Sequence, residues 1–247
     1  MLQEPDFKTA ATDAQAHHGP AGNRLLAMLP PDEFCAVSAA LEDCALVTRK
    51  ILQNAHTLAG HVYFIGDGLV SLTTAAGNGE EVEIALVGCE GIVGAAVALG
   101  ATTLPWRATV RAPGRAWRMT APRMAAMMDM NKTFSALVLR YMAVSLFESA
   151  QNTACACRHT IAQRIARWLL TCQDRLAVQS ITCTHDYMGQ ALGVRRAGVT
   201  VGLGQFEKLG IIAQKRGAVV VIDRQRLEAQ SCDCHGLARL HYQRMLG

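Results

Sequence analysis

At 247 residues the chain is long enough to bury a full core, in one large domain or two smaller ones. A hydrophobic share of 51% with 18% charged residues excludes a disordered chain, which would lack the apolar surface needed to offset ordering entropy. The net charge of +4 is uneven: residues 1–156 carry 11 Lys+Arg against 14 Asp+Glu, a net −3, and residues 157–247 carry 13 against 6, a net +7, so the C-terminal part is the candidate polyanion surface.

Residues 1–22 mix Glu4, Asp6, Lys8 and Asp13 with His17 and His18 and have no apolar core, so a mobile tail is expected rather than a secretory signal. The two longest uncharged runs, residues 51–66 and 91–106, are diluted by polar residues, Gly or Pro105. Both fall short of the roughly 20 apolar residues that span a bilayer. No membrane partner is expected, and the location expected is the cytoplasm.

From Leu41 to Met119 short apolar segments alternate with Gly-rich turns: Ile51-Leu52, then residues 61–65, 69–73, 82–87, 108–111 and 116–119. Segments of this length, with Asn78-Gly79 as a hairpin signal, predict a small antiparallel sandwich or barrel. Past Pro122 the period changes. Phe134, Leu137, Val138, Tyr141, Val144 and Phe147 recur at three and four residues and predict a long amphipathic helix, and Ile161, Ile165, Trp168, Leu169 and Cys172 mark a second one. A long helix between two unlike domains reads as a dimerisation spine, with the stripe Phe134, Leu137, Tyr141, Val144 and Phe147 as its seam.

The stretch from His185 to Gly204 has the spacing of a helix-turn-helix. Thr184 can cap the first helix, and Asp186 suits the positive end of its dipole. Gly189 allows a close crossing, Gly193 supplies a left-handed turn residue, and Met188, Leu192, Val194 and Val199 bury the inner faces. The second helix offers Arg195, Arg196 and Thr200 at its outward N-terminal end, where base edges and phosphates are met in a major groove. Gly198, Gly202 and Gly204 sit badly in that helix, at about 1 kcal/mol each relative to Ala. Further on, Lys215-Arg216-Gly217-Ala218 between apolar strands reads as a β-wing that lays Lys215 and Arg216 along a phosphate backbone.

These residues, with Arg158-His159 to Trp168-Leu169-Leu170 before them and Leu227-Glu228 to Cys232-Asp233-Cys234 after, resemble the Crp/Fnr family of transcription regulators from about Asn23 to Leu240. The resemblance implies an α+β chain: an N-terminal β jelly roll of cyclic-nucleotide-binding type (residues 23–130), a long dimerisation helix (131–156) and a C-terminal winged helix-turn-helix (157–247). It further implies double-stranded DNA, a second copy of the chain and RNA polymerase as partners.

The sensory part departs from the family pattern. Cyclic-nucleotide sensors of this kind hold the ribose with a Glu that follows a Gly, and the phosphate with an Arg and a neighbouring hydroxyl. Here Gly94 is followed by Ala95, and Arg107 is followed by Ala108. Gly94 and Arg107 remain the candidate ligand contacts, but a buried hydroxyl without its acceptor loses on the order of 1 to 3 kcal/mol, so cyclic AMP is not expected as effector. Arg107 can instead pair with an internal carboxylate such as Glu83 or Glu90.

The nine cysteines are an odd, scattered set, read as reduced and mostly buried as small apolar residues. Cys35 and Cys44 are too few for an N-terminal iron–sulfur cluster, and nothing favours heme at His56 or His61. Cys155-Ala156-Cys157 and Cys232-Asp233-Cys234-His235 have ligand-like spacing, but two thiolates one residue apart complete no tetrahedral site, so no metal and no cofactor is expected. With no phosphate loop, nucleophile elbow or His-Glu metal motif, no catalytic residue is expected either. The reading is a homodimeric, sequence-specific DNA-binding regulator. Its alternative is a nucleotide-binding or protein-interaction module that does not bind DNA specifically.

Overall fold

The computed structural model describes residues 19–77 and 79–247. Residues 1–18 of the expected tail, and Asn78 of the expected turn, lie outside the described residues.

Eight strands build the N-terminal part: β1 (Glu42–Leu46), β2 (Ile51–Gln53), β3 (His61–Ile65), β4 (Leu69–Ala75), β5 (Glu81–Val87), β6 (Ile92–Val93), β7 (Arg107–Ala112) and β8 (Gly114–Thr120). They form two antiparallel sheets of order β1-β8-β3-β6 and β2-β7-β4-β5, the double-sheet jelly roll. Leu46, Ile65, Val70, Val110 and Ala116 meet in its dry interior. The β4–β5 hairpin pairs Ala75 with Glu81 and closes around residues 76–80, with Gly77 and Gly79 at φ +87° and +76°, a region open to glycine. Two strands lack a sequence signal. β1 carries Glu42 and Asp43 and buries only Cys44 and Leu46, and β6 is two residues long.

Helix α1 (Pro31–Ser38) precedes the sandwich. After it Pro122 sits in the first turn of α2 (Ala121–Met130), where a missing N–H costs nothing, and α3 (Lys132–Arg158) follows after Asn131. The stripe expected to face a partner is turned inward. Phe134, Leu137, Tyr141 and Val144 are at most 7% exposed, packed with Val62, Phe64, Met119 and Met124 in a second core under the sandwich. Phe147 stacks on His241 of the last helix, α8 (Cys234–Leu246), which runs beside α3.

His159 ends α3, and Thr160 starts α4 (Ile161–Leu176) through a capping box with Gln163. Beyond α4 come β9 (Ser180–Thr182), α5 (His185–Leu192), α6 (Arg196–Lys208), the hairpin β10 (Ile212–Lys215) and β11 (Ala218–Val221), and α7 (Arg224–Gln230). The three strands pair in the order β10-β11-β9. Ile165, Leu169, Leu203, Phe206 and Val219 form the core of this part, and it reaches across to bury Leu69 and Leu86 of the sandwich.

Two polar clusters fasten the halves together. Glu83 of β5 accepts from Ser71 Oγ at 2.5 Å, from Trp168 Nε1 at 2.9 Å and from the Tyr187 hydroxyl at 2.7 Å, and Arg111 lies 4.1 Å over the Tyr187 ring. Burial pushes the Glu83 carboxyl upward against these three donors. Arg175 of α4 bridges Glu90 at 2.9 Å and Glu148 of α3 at 2.6 Å. Burial alone would lower the Arg175 guanidinium, but the two carboxylates outweigh it and hold it above its ordinary value.

Candidate nucleic-acid interface

The helix-turn-helix forms as its local chemistry dictates. The Thr184 hydroxyl accepts the Tyr187 amide at 3.1 Å and caps α5, and Gly193 ends that helix at φ +62°. A Cβ on Gly189 would stand 2.9 Å from the Val194 carbonyl oxygen, so the turn closes only over glycine. Met188 and Val199 are fully buried beneath it, and Leu192 and Val194 are half-buried.

Packing accounts for two of the three glycines of α6. A Cβ on Gly202 would lie 2.6 Å from Ile165 Cδ1, and one on Gly198 would lie 3.1 Å from Ile161 Cδ1, so α6 rides close against α4 at these positions. Gly204 faces open space, and nothing in the structure explains it.

Arg195, Arg196 and Thr200 lie together on one exposed end of α6. Arg195 is the N-cap of α6 and Arg196 its first residue, and both are exposed along with Thr200 one turn on. Arg196 Nε lies 3.6 Å from Asp186 in an exposed pair, which adds little energy but aims the guanidinium along the front of α5. The wing turn is Arg216-Gly217, with Gly217 at φ +73° and Lys215 opposite Ala218. Lys215 and Arg216 are both exposed at its tip.

A hydrogen-bonded chain joins these parts that the sequence did not reveal. His185 Nδ1 meets Thr200 Oγ1 at 2.9 Å, His185 Nε2 meets Gln214 Oε1 at 2.8 Å, and the Gln214 amide group donates to Glu207 Oε2 at 2.8 Å. The start of α5, the middle of α6 and the wing strand β10 are thereby held in one frame. A His directly after an N-cap Thr was the available signal, but only the fold places Gln214 beside it.

In the sensory part Gly94 adopts φ +83° ahead of a short 3₁₀ turn, Ala95–Leu99, and a Cβ there would stand 3.0 Å from the His61 carbonyl oxygen. Arg107 pairs with Glu81 at 2.8 Å, which corrects the expected partners: Glu83 and Glu90 are engaged across the domain boundary. Ala95 and Ala108 are buried and apolar, so Ala95 offers a ribose hydroxyl no acceptor and Ala108 offers a phosphate oxygen no side-chain donor. The cysteines are less scattered than their spacing implies, because Cys155, Cys232 and Cys234 converge with His159.

Residues 46–131 match the model of the cyclic nucleotide-binding domain, and residues 163–230 match that of the Crp-like helix-turn-helix domain. No curated protein matches the sequence. Among solved structures the chain is similar to FixK2 from Bradyrhizobium japonicum, at 17% identity and TM-score 0.68 over 78% of this chain and 98% of that one. It is also similar to the c-di-GMP responsive global regulator CLP of Xanthomonas campestris, at 13% identity and TM-score 0.65 over 78% and 99%. A third likeness is to a transcriptional regulator of the CRP family from Thermus thermophilus, at 19% identity and TM-score 0.64 over 76% and 96%. At these identities the likeness establishes the fold, and among the described residues no helix is long and apolar enough to cross a membrane. With a cyclic-nucleotide-binding-type sandwich and a Crp-like helix-turn-helix following one another on one chain, the protein belongs to the Crp/Fnr family and is a DNA-binding transcription regulator.

Proposed function

We propose that the protein acts in the cytoplasm as a homodimer that reads a two-fold symmetric DNA site and addresses RNA polymerase from there. Arg195, Arg196 and Thr200 meet base edges and adjoining phosphates, and Lys215 and Arg216 hold the backbone from the wing. The observation that carries this reading is the His185 chain, which ties the recognition helix to the wing strand next to Lys215. A helix and wing held in one frame can follow one groove and its flanking backbone together.

The dimer seam proposed is the outer face of α3. Ala136, Ala143, Ala150 and Cys157 recur every seven residues, with Leu139, Leu146 and Thr153 three residues after the first three of these. All are exposed except half-buried Ala143, and the period of 3.5 is that of a coiled coil whose small residues allow close approach. Gly94 and Arg107 are the proposed effector contacts, and an effector that uses Arg107 must displace Glu81. Cyclic AMP is not that effector, since Ala95 and Ala108 offer its hydroxyl and phosphate no partner, and calorimetry is expected to find no saturable heat with it.

Selection of bound sequences from random duplex DNA tests the main reading. A palindromic consensus with half-sites about one helical turn, roughly 34 Å, apart is expected. Enrichment of no sequence would favour the nucleotide-binding or protein-interaction module instead.

A further inference from the structure

Cys155 lies in the last turn of α3 and His159 is its C-cap, four residues on, so both side chains look to one side of the helix. Cys232 in the link between α7 and α8 and Cys234 at the start of α8 flank Asp233. The fold sets the two pairs face to face. The Cys155 and Cys232 sulfurs are 3.6 Å apart, Cys234 Sγ lies 3.5 Å from His159 Nδ1, and the four ligand atoms all fall within 4.8 Å of one another. The three thiols are buried in a small cluster of their own, separate from the apolar cores.

A tetrahedral ion with bonds of about 2.3 Å to sulfur and about 2.0 Å to nitrogen sets its ligand atoms roughly 3.5 to 3.8 Å apart. Both close distances fall in that range. A set this tight has room for one metal atom between its ligands and none for an inorganic iron–sulfur core.

We propose that Cys155, His159, Cys232 and Cys234 bind one soft divalent cation, zinc by ligand chemistry, in a closed structural centre. Three thiolates and one imidazole fill the four positions and leave none for water or substrate. Gln151 Nε2 lies 2.9 Å from Cys234 Sγ, an outer hydrogen bond that steadies a thiolate. Cys234 is also the first residue of α8, where the helix dipole favours the anion. His235 is not part of the set, since its Nε2 bonds Asp174 at 2.8 Å, and Cys157 is exposed two residues from Cys155. The ion fastens the end of α3 to α8 immediately before the Thr160 break, so loading fixes how the DNA-binding part is held on the spine.

The test uses the full chain, purified reduced, with metal content by plasma emission and cobalt(II) substitution read by visible absorption. One zinc per chain is expected, and a cobalt form with intense tetrahedral bands and a thiolate-to-metal charge-transfer band. Cys155→Ser and Cys234→Ser should lose stoichiometric metal, Cys157→Ser should keep it, and Gln151→Ala should bind about 10 to 100 times more weakly. Should the ligand variants fail to fold, the wild-type cobalt spectrum and Gln151→Ala carry the decision. A folded, reduced wild type that takes up no zinc from excess overturns the proposal. So does a six-coordinate cobalt spectrum, or a Cys157→Ser variant as metal-poor as Cys155→Ser.

Discussion

At the scale of single residues, the glycines of α6 separate two physical effects within one turn. Gly202 is a packing requirement, because its absent Cβ is the space that Ile165 occupies in the core. Gly204 has open space and bears only the backbone entropy of glycine in a helix. Gly202→Ala is therefore expected to destabilise by about 1 to 3 kcal/mol through overpacking. Gly204→Ala is expected to stabilise by about 0.8 to 1 kcal/mol. Urea unfolding of both variants checks the pair, and equal effects would show that propensity alone governs this helix. On the DNA side, Arg195→Ala or Arg196→Ala should cost about 1 to 3 kcal/mol per half-site wherever the lost guanidinium reads a base, and relax preference at that base pair. Lys215→Ala should weaken all sequences alike and reduce the salt slope by about 1. Binding titrations across a salt series on cognate and random duplexes separate the two behaviours, and an Arg195→Ala, Arg196→Ala double variant of unchanged specificity would refute the assignment.

At the scale of elements, α3 carries two apolar stripes with different owners. The stripe of large residues, Phe134, Leu137, Tyr141 and Val144, is claimed by the chain's own second core. Tyr141 shows how tightly: its hydroxyl donates to the Ile92 carbonyl oxygen at 3.4 Å, and burial pushes the phenol up to about 12. What remains for a partner is the lighter Ala and Leu stripe, with Leu139 at 45% and Leu146 at 69% exposure. Leu139→Glu with Leu146→Glu is expected to yield a folded monomer, because like charges would face each other across a two-fold seam. Sedimentation at micromolar concentration decides, and an unchanged dimer would move the interface elsewhere.

At the scale of the whole molecule, the docking of the two halves is pH-dependent through Glu83. Its folded-state carboxyl is raised above the ordinary 4.5, so the stability it contributes is full below that value and is lost as pH rises through the raised one. Glu83→Gln keeps an acceptor oxygen for Trp168 and turns an uncharged amide group toward the Tyr187 and Ser71 hydroxyls, which can accept from it. The stability of Glu83→Gln relative to wild type should therefore grow as pH increases from about 4.5 and then level off. Chemical unfolding at several pH values tests this, and a difference constant with pH would contradict it.

The features legible in the sequence are those whose causes lie within a few residues. Thr184, Gly189 and Gly193 specify the turn between α5 and α6, Arg216-Gly217 specifies the wing, and the change from alternating to helical period after Pro122 marks the passage from sandwich to spine. Strands as short as β6, or as polar as β1, carry too few apolar positions to declare a period and form because neighbours offer open edges. Only the tertiary structure decided that Arg107 meets Glu81, that Glu83 accepts from Tyr187, which face of α3 is left over, and that cysteines 77 positions apart in sequence lie 3.6 Å apart. The reason is physical: a side chain's partner across a domain boundary depends on which surfaces the whole chain brings together, and spacing along the sequence holds no record of that.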